Sequence, residues 1–185
     1  MLVITGGKWA RRSIKTPPRR STRYTPQSAR KALFDIVDVS SKTFLDLFSG
    51  SGIISFEALS RGAIDVTSVD SSKKACQSIL ESKNGLDPSA DLKIVCSDFR
   101  RAIPSLVRKG VEFDIIFADP PFDEQYTKPL IELLEQNSVV LNSRSLLIVE
   151  TSKRESDSLA RTGTLFRLID QREYAGIVFS IMVKK

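Results

Sequence analysis

The chain has 185 residues, of which 41% are hydrophobic and 27% are charged, and its formal net charge is +6. This length and composition fit one soluble globular domain with a sizeable core, and no apolar run approaches the roughly 20 residues of a membrane-spanning helix. Because the chain has no histidine and only two cysteines, Cys76 and Cys96, Ser-His-Asp and Cys-His catalysis are excluded, and neither a metal site nor a disulfide scaffold is expected.

The first predicted element is a basic N-terminal segment. Nine of the 28 Lys and Arg residues lie in the first 34 positions, where there is no Asp or Glu. Charge of one sign in one part of a chain indicates a polyanionic partner, although a solvated basic tail would have the same composition. The stretch "LVITGGKWARRSI" predicts a small β-hairpin that turns at Gly6-Gly7. The candidate phosphate-binding residues are Lys8, Arg11, Arg12, Lys15, Arg19, Arg20, Arg23 and Arg30.

A helix is predicted between this segment and the main body of the chain. The stretch "RYTPQSARKALFDIV" has Thr25 as a suitable N-cap and Pro26 at the first helical position, where proline is favoured. Its apolar stripe would consist of Leu33, Phe34 and Val37. We therefore divide the chain into a basic hairpin and linker, residues 1–22, and a larger domain, residues 23–185.

The rest of the chain alternates strands and helices. Apolar runs of strand length occur at residues 43–48, 65–70, 92–97, 114–119 and 145–150. Such runs separated by stretches of helical period predict a parallel sheet that is covered on both faces. The final stretch, "LFRLIDQREYAGIVFSIMVKK", predicts an antiparallel hairpin around Ala175-Gly176. The predicted fold class is α/β, with a Rossmann-like, seven-stranded, mostly parallel sheet, a C-terminal antiparallel hairpin and a small N-terminal β-hairpin.

Candidate ligand-binding residues lie where these strands end, because open parallel sheets bind ligands beyond the carboxyl ends of their strands. In "DLFSGSG", Gly50 and Gly52 allow a tight turn and a close backbone approach to a ligand. Asp70 can accept both hydroxyl hydrogens of a ribose. Asp98 and Phe99 suit the edge and the face of an adenine, although Asp98 would serve equally well as a helix N-cap. The predicted cofactor-binding residues are Asp46, Phe48, Ser49, Gly50, Gly52, Asp70, Ser71, Asp98, Phe99 and Asp119.

The composition of the glycine loop favours S-adenosylmethionine over a dinucleotide. A dinucleotide fingerprint would have a third glycine at position 55, where this chain has Ser55. Asp46 would repel a pyrophosphate, whereas its carboxylate suits the ammonium group of a methionine moiety. We therefore predict S-adenosylmethionine as the cofactor.

The stretch "FDIIFADPPFDEQY" ends a buried strand in a rigid acidic elbow. Two consecutive prolines have no amide hydrogens, so the strand must stop there. Asp119 and the carbonyl of Pro120 can accept the two hydrogens of a purine amino group, and Phe122 can stack on the base. The candidate catalytic residues are Asp119, Pro120, Pro121 and Phe122. A strand that simply ends in a stiff turn is the structural alternative.

Residues 46–63, together with Asp70, Asp98 and "DPPF" at 119–122, resemble the RsmD-type family of class I methyltransferases, which modify a guanine amino group in 16S ribosomal RNA. The stretches "ITGGKW" and "RYTPQSARKALF" are similar to that family's N-terminal hairpin and to the motif before its cofactor domain. The resemblance implies an S-adenosylmethionine-dependent rRNA (guanine-N2)-methyltransferase. Its basic N-terminal residues would bind 16S rRNA or a small-subunit assembly particle. We expect a cytoplasmic monomer without a membrane partner.

Three other classes of protein share parts of this pattern. An adenine-N6 DNA or RNA methyltransferase would use the same Asp-Pro-Pro-Phe site, although 185 residues leave little room for a DNA-reading domain. A protein-glutamine methyltransferase more often has Asn in place of Asp119 and does not require N-terminal cations. A non-catalytic RNA-binding module would explain the cations but not the aligned strand ends.

Overall fold

The computed structural model describes residues 1–17, 24–121, 126–159 and 165–185. Its strands are β1 (Leu2–Val3), β2 (Ser13–Ile14), β3 (Thr43–Leu47), β4 (Asp65–Asp70), β5 (Leu92–Cys96), β6 (Phe113–Ala118), β7 (Leu141–Thr151), β8 (Phe166–Tyr174) and β9 (Ile177–Lys184). Its helices are α1 (Gln27–Ile36), α2 (Ile53–Ser60), α3 (Lys73–Leu86), α4 (Phe99–Arg108), α5 (Thr127–Gln136) and α6 (Lys153–Leu159), with a short 3₁₀ helix at Ser138–Val140.

Seven strands form the central sheet, in the order β5-β4-β3-β6-β7-β9-β8. Strands β3 to β7 are parallel to one another, and β9 is antiparallel to both β7 and β8. The turn between β8 and β9 is Ala175-Gly176, whose φ values of 50° and 78° suit a tight two-residue hairpin. The predicted Rossmann-like fold class, with its C-terminal antiparallel hairpin and small N-terminal hairpin, is confirmed.

The sheet is covered on both faces because its strands are apolar on both sides. Neighbouring residues of β3 point to opposite faces, so Phe44 belongs to one hydrophobic cluster and Leu45 to the other. Helices α1, α2 and α3 contribute to the first cluster, and α4, α5 and α6 contribute to the second. No helix within the described ranges is long and apolar enough to cross a membrane.

The strand order reverses beside β3. This strand pairs with β4 on one side and with β6 on the other, so the chain leaves β3 and β6 toward opposite faces of the sheet. Open α/β sheets bind ligands in the crevice that such a reversal creates at the carboxyl ends of the strands. The loops that follow β3, β4, β5 and β6 all lie along this carboxyl edge.

The N-terminal hairpin packs on the main core. Ile4, Trp9 and Ile14 belong to the hydrophobic cluster on the α2 face of the sheet, and the ring of Trp9 meets that of Phe56 edge-on, with centroids 6.4 Å apart. Hairpin and sheet therefore share one hydrophobic core. The proposed boundary at residues 22 and 23 stays a prediction, since it lies outside the described residues.

Close contact with α2 fixes the loop between β1 and β2. Gly7 has a φ of 75°, and a side chain there would place its Cβ 1.8 Å from the carbonyl oxygen of Ser60. Glycine is required at this position because both the backbone conformation and the space exclude other residues.

Helix α1 confirms the predicted apolar stripe but not the predicted cap. Leu33, Phe34 and Val37 are buried, whereas the helix begins at Gln27 with Pro26 as its N-cap. The hydroxyl of Thr25 instead donates a hydrogen bond to Glu150 Oε2, at 2.7 Å. The N-cap role predicted for Thr25 is therefore wrong, because a buried acceptor from β7 takes its hydroxyl.

Candidate active site

The loop after β3 is fixed by hydrogen bonds to its own strand and to β4. The amide of Ser49 donates to the carbonyl oxygen of Val69 at 3.1 Å, and its hydroxyl donates to the carbonyl oxygen of Asp46 at 2.7 Å. Phe48, one residue earlier, has a φ of 61°, which turns the chain sharply away from the strand. Ser49 and Phe48 thus shape the loop at the carboxyl edge.

The two loop glycines have different reasons to be glycine. A Cβ at Gly52, where φ is 75°, would lie 2.9 Å from Ile79 Cγ1, so this residue allows the loop to pack on α3. Among the described residues, a Cβ at Gly50 would meet only the carbonyl oxygen of Phe48, at 3.9 Å. The loop is therefore open at Gly50, where a ligand can approach the backbone closely.

Asp70 ends β4 and faces this open side of the loop. The residue is 8% exposed, and its Oδ2 accepts a hydrogen bond from the amide of Gly50 at 2.8 Å. Its Oδ1 accepts another from the amide of Ser72 at 2.7 Å. Asp70 therefore lies against both the glycine loop and the start of α3. Ser71, between Asp70 and α3, is exposed.

These features fit an adenosine-containing cofactor. Asp70 offers carboxylate oxygens to ribose hydroxyls, and the open backbone at Gly50 offers the close approach that the predicted slot needs. In the part of the chain that the structure describes, no group of three or more Cys, Asp or Glu side chains could hold a metal ion.

Asp46 lies beneath the same loop. It is 1% exposed, and its Oδ2 accepts hydrogen bonds from the amide of Ser55 at 3.1 Å and from its hydroxyl at 2.5 Å. Burial raises the pKa of Asp46 to about 7, with the charge of Asp70 adding to this and the Ser55 hydrogen bonds opposing it. A buried carboxylate of this kind would be stabilised by a ligand cation. Its contact with an ammonium group stays a prediction.

The end of β5 holds Asp98 and Phe99 in local contacts. Asp98 is the N-cap of α4, and its Oδ1 accepts a hydrogen bond from the amide of Arg100 at 2.8 Å. Phe99 is buried against Phe48, with ring centroids 5.0 Å apart. The alternative role of Asp98 as a helix cap is thus present in the structure, and contact of either residue with adenine stays a prediction.

An aromatic cluster joins the ends of β3, β5 and β6. The ring of Tyr126 lies 6.0 Å from that of Phe48 and 6.0 Å from that of Phe99. The guanidinium of Arg100 lies over Phe99 and Tyr126, at 4.5 and 5.0 Å from the ring centroids. Tyr126 is not predicted as a site residue from the sequence, and its position shortly after the Asp-Pro-Pro-Phe elbow is the signal that could have indicated it.

The acidic elbow lies at the reversal of strand order. Strand β6 ends at Ala118, and the amide of Asp119 donates a hydrogen bond to the carbonyl oxygen of Leu47, the last residue of β3, at 3.3 Å. Asp119 is partly exposed, Pro120 is buried and Pro121 is exposed. The structure thus brings the elbow beside the loop after β3. Phe122 lies outside the described residues, and its stacking role stays a prediction.

The tip of the basic hairpin lies far from this site. Helices α2 and α3 run from the carboxyl edge of the sheet to the opposite edge. The amide of Lys8 donates to the carbonyl oxygen of Ser60 at the end of α2, at 2.7 Å, and the guanidinium of Arg12 donates to that of Gly85 near the end of α3, at 3.3 Å. Lys8, Arg11 and Arg12 therefore lie toward the edge opposite the elbow.

Lys15 lies further along α3, toward the carboxyl edge. Its ammonium group donates to Glu81 Oε2 at 2.8 Å, and its amide donates to Ser82 Oγ at 3.0 Å. Three further predicted RNA-binding residues, Arg19, Arg20 and Arg23, lie outside the described residues.

Arg30 lies in the protein interior rather than on an RNA-binding surface. It is 1% exposed, and its guanidinium donates hydrogen bonds to the carbonyl oxygens of Thr25 and Val3, at 2.7 and 2.8 Å. Its Nε lies 3.6 Å from Oε1 of the buried Glu57, and burial lowers the pKa of Arg30 while Glu57 opposes that shift. The RNA-binding role predicted for Arg30 is wrong, because this arginine fastens the hairpin and α1 to α2.

The chain is similar to one protein family and to several known proteins. The model of the family described as Conserved hypothetical protein 95 matches residues 2–183. Ribosomal RNA small subunit methyltransferase D of Escherichia coli (strain K12) is 33% identical over 153 residues, which cover 80% of this chain and 73% of that protein. YlbH of Bacillus subtilis (strain 168) is 30% identical over 187 residues, which cover 100% of this chain and 99% of YlbH. The solved structure of yhhF from Escherichia coli matches with a TM-score of 0.83 and 26% identity, over 100% of this chain and 98% of that one.

Proposed function

Because the chain belongs to the Conserved hypothetical protein 95 family, the RsmD family of class I methyltransferases, we propose that it methylates the N2 amino group of a guanine in 16S ribosomal RNA. The family makes the protein an rRNA methyltransferase with S-adenosylmethionine as its cofactor. The observation that carries the choice of an amino group is the acidic elbow, where Asp119 and Pro120 lie beside the end of β3.

The slot at the carboxyl edge suits this cofactor. Asp70 would accept hydrogen bonds from the ribose hydroxyls, and the backbone at Gly50 would lie against the ligand. The buried Asp46 would face the ammonium group of the methionine part. When bound, the cofactor supplies an electrophilic methyl group. The reaction therefore needs no nucleophilic side chain activated by histidine, which this chain lacks.

The elbow suits the amino group of a purine. Such an amine is a poor nucleophile because its lone pair is delocalised into the ring. The carboxylate of Asp119 and the carbonyl of Pro120 would each accept one of its hydrogens, which turns the lone pair out of conjugation. Positioning of this kind can lower a barrier by about 7–11 kcal/mol. Asp119 would also take the proton that the nitrogen loses on methyl transfer.

The target base must be unpaired to reach the elbow. Enzymes that act on a base take it from a single strand or flip it out of a duplex, and stacking of that base on Phe122 would contribute about 1–3 kcal/mol. The flanking phosphates would be held by N-terminal cations, of which Lys15 lies nearest to the carboxyl edge among those described. We propose free 16S rRNA or an assembling small subunit as the substrate, and a monomeric enzyme in the cytoplasm.

Adenine-N6 methylation is the second candidate function. The same Asp-Pro-Pro-Phe elbow would accept the hydrogens of an adenine amino group in DNA or RNA equally well, because both amines offer two N–H donors. Family membership favours ribosomal RNA as the substrate, and the chemistry of the elbow does not distinguish the two bases.

Transfer of labelled methyl groups tests this proposal. The enzyme and tritium-labelled S-adenosylmethionine are incubated with one acceptor in each reaction. The acceptors are naked 16S rRNA, assembled small subunits, duplex DNA and a protein substrate. We expect label in the ribosomal RNA, whether free or within the particle. Label in DNA alone would support an adenine-N6 DNA methyltransferase, and label in protein alone would contradict both candidates. RNA binding without transfer to any acceptor would indicate a non-catalytic RNA-binding module.

A further inference from the structure

A groove of about 730 Å³ runs between the chain after β2 and the first half of α3. We name it the α3 groove, and its lining includes Lys15, Thr16, Lys73, Lys74, Gln77 and Glu81. Among the described residues of the lining, Glu81 is the one acid, and it is paired with Lys15 at 2.8 Å. Lys73 and Lys74 therefore give the groove a positive charge.

The α3 groove adjoins the cofactor slot. Lys73 and Lys74 form the start of α3, directly after its N-cap Ser72. The amide of Ser72 donates to Asp70 Oδ1 at 2.7 Å, so slot and groove share the first turn of one helix. Lys73 and Lys74 therefore lie at the same carboxyl edge as the cofactor slot.

The two lysines are unfavourably placed for the stability of the helix. A helix N-terminus carries a partial positive charge and favours acidic residues, yet α3 has none in its first turn. Both lysines are exposed, and neither forms an ion pair with another residue in the described ranges. Helix stability therefore does not explain why lysines occupy the first turn of α3. A phosphate group would interact favourably with both ammonium groups and with the helix N-terminus.

We propose that the α3 groove binds the phosphate backbone of the RNA substrate next to the target nucleotide, with Lys73 and Lys74 as phosphate-binding residues and Lys15 on the opposite wall. The inference rests on the proposed function, since it assumes an RNA substrate. It assigns the RNA contact near the site to α3, because Lys8, Arg11 and Arg12 of the hairpin lie toward the opposite edge of the sheet.

Matched double variants test the groove. In Lys73→Ala/Lys74→Ala, affinity for an unmodified 16S rRNA transcript should fall on the order of tenfold, and the slope of log affinity against log salt should become shallower by about 1.4, because two phosphate contacts are lost. The control is Arg108→Ala/Lys109→Ala, which removes the same charge from two exposed residues at the end of α4. This control should resemble the unmodified protein in both quantities. Thermal unfolding should show that both variants are folded.

Three outcomes would contradict the proposal that the α3 groove binds RNA. One is unchanged RNA affinity in the α3 variant, and another is an equal loss in the α4 control, which would mean that only net charge matters. The third is a loss confined to Arg11→Ala/Arg12→Ala, which would place RNA at the hairpin tip. Methyl transfer by the unmodified protein separates these from a failure of the proposed function. If the unmodified protein methylates 16S rRNA and the α3 variant binds that RNA normally, only the proposed role of the α3 groove is wrong. If the unmodified protein methylates no RNA, the proposed function itself is wrong.

Discussion

The amide of Gly50 donates a hydrogen bond to Asp70 Oδ2 over 2.8 Å and thereby ties the loop after β3 to the end of β4. The other oxygen of the same carboxylate accepts the amide of Ser72, at 2.7 Å, at the start of α3. One side chain therefore holds the glycine loop and the first turn of α3 in place. Because these contacts lie within the chain itself, the slot has its shape before a cofactor binds.

Replacement of Asp70 should weaken cofactor binding. In Asp70→Asn, the ribose hydroxyls lose a charged acceptor, and hydrogen bonds to charged groups contribute about 1.5–3 kcal/mol each. We expect the affinity for S-adenosylmethionine, measured by isothermal titration calorimetry, to fall by about 10- to 100-fold. Asp91→Asn, at an exposed residue before β5, is the control and should bind normally. Equal affinities of Asp70→Asn and the unmodified protein would remove Asp70 from the cofactor site.

Replacement of Asp119 should abolish most methyl transfer but spare cofactor binding. Asp119→Asn keeps the shape of the side chain and loses the carboxylate that would orient the amine and accept its proton. We expect the turnover number on 16S rRNA to fall by about 10²–10⁴-fold, with the affinity for S-adenosylmethionine within a few-fold of normal. Glu112→Gln, at an exposed residue before β6, should have normal turnover. Near-normal turnover in Asp119→Asn would show that the amine is oriented by other groups.

Cofactor affinity should depend on pH through Asp46. Burial raises the pKa of this carboxyl to about 7, and the ammonium group of the cofactor would bind its ionised form. Affinity should therefore fall roughly tenfold or more between about pH 7.5 and pH 5.5. Because the chain has no histidine, few other groups titrate in this range. Asp46→Asn should remove the dependence. A pH-independent affinity in the unmodified protein would place the ammonium group elsewhere.

The same raised pKa affects the stability of the free protein with a definite sign. The folded state holds the Asp46 proton more tightly than the unfolded state, in which the pKa is near the ordinary value of 3.8. The contribution of Asp46 to stability should therefore decrease as the pH rises from about 4 to about 7. Urea unfolding of Asp46→Asn should lack this decrease. A contribution that increases over this interval would contradict the raised pKa.

Removal of Arg30 should destabilise the fold rather than specifically weaken RNA binding. Arg30→Ala leaves the buried Glu57 without one cationic neighbour, and breaking a buried pair costs about 3–5 kcal/mol. We expect about 3 kcal/mol in urea unfolding, because Arg61 still lies 3.4 Å from Glu57. Lys31→Ala removes the same charge from an exposed neighbour and should change stability little. A stable Arg30→Ala with weak RNA binding would restore Arg30 to the RNA-binding surface.

The sheet and its site could be predicted because the strands have a local signal. Continuous apolar runs show where each strand ends, and the carboxyl ends of parallel strands meet at one edge. That is sufficient to bring Gly50, Asp70 and Asp119 together. Burial of Arg30 could not be predicted in this way, because its partner Glu57 lies on another helix and such pairs leave no periodic signal.

Basic residues can be identified from the sequence, but their positions on the folded protein cannot. The composition of the hairpin indicates a nucleic acid partner. Only the structure shows that the tip of the hairpin lies against the end of α2, at Ser60. Conversely, Lys73 and Lys74 look like the polar face of an ordinary helix. They become candidates only when the structure places them between the slot and Lys15. Cationic composition is a local property, whereas a binding surface depends on packing between elements.

Identification of the methylated nucleoside tests most directly whether the chain methylates guanine N2 in 16S rRNA. Unmodified 16S rRNA, free or in small subunits, is incubated with the protein and S-adenosylmethionine, digested to nucleosides and analysed by mass spectrometry against standards. We expect N2-methylguanosine, and at least about 100-fold less of it in reactions with Asp119→Asn. N6-methyladenosine as the only product, again lost with Asp119→Asn, would show that the elbow acts on adenine and would contradict the assignment.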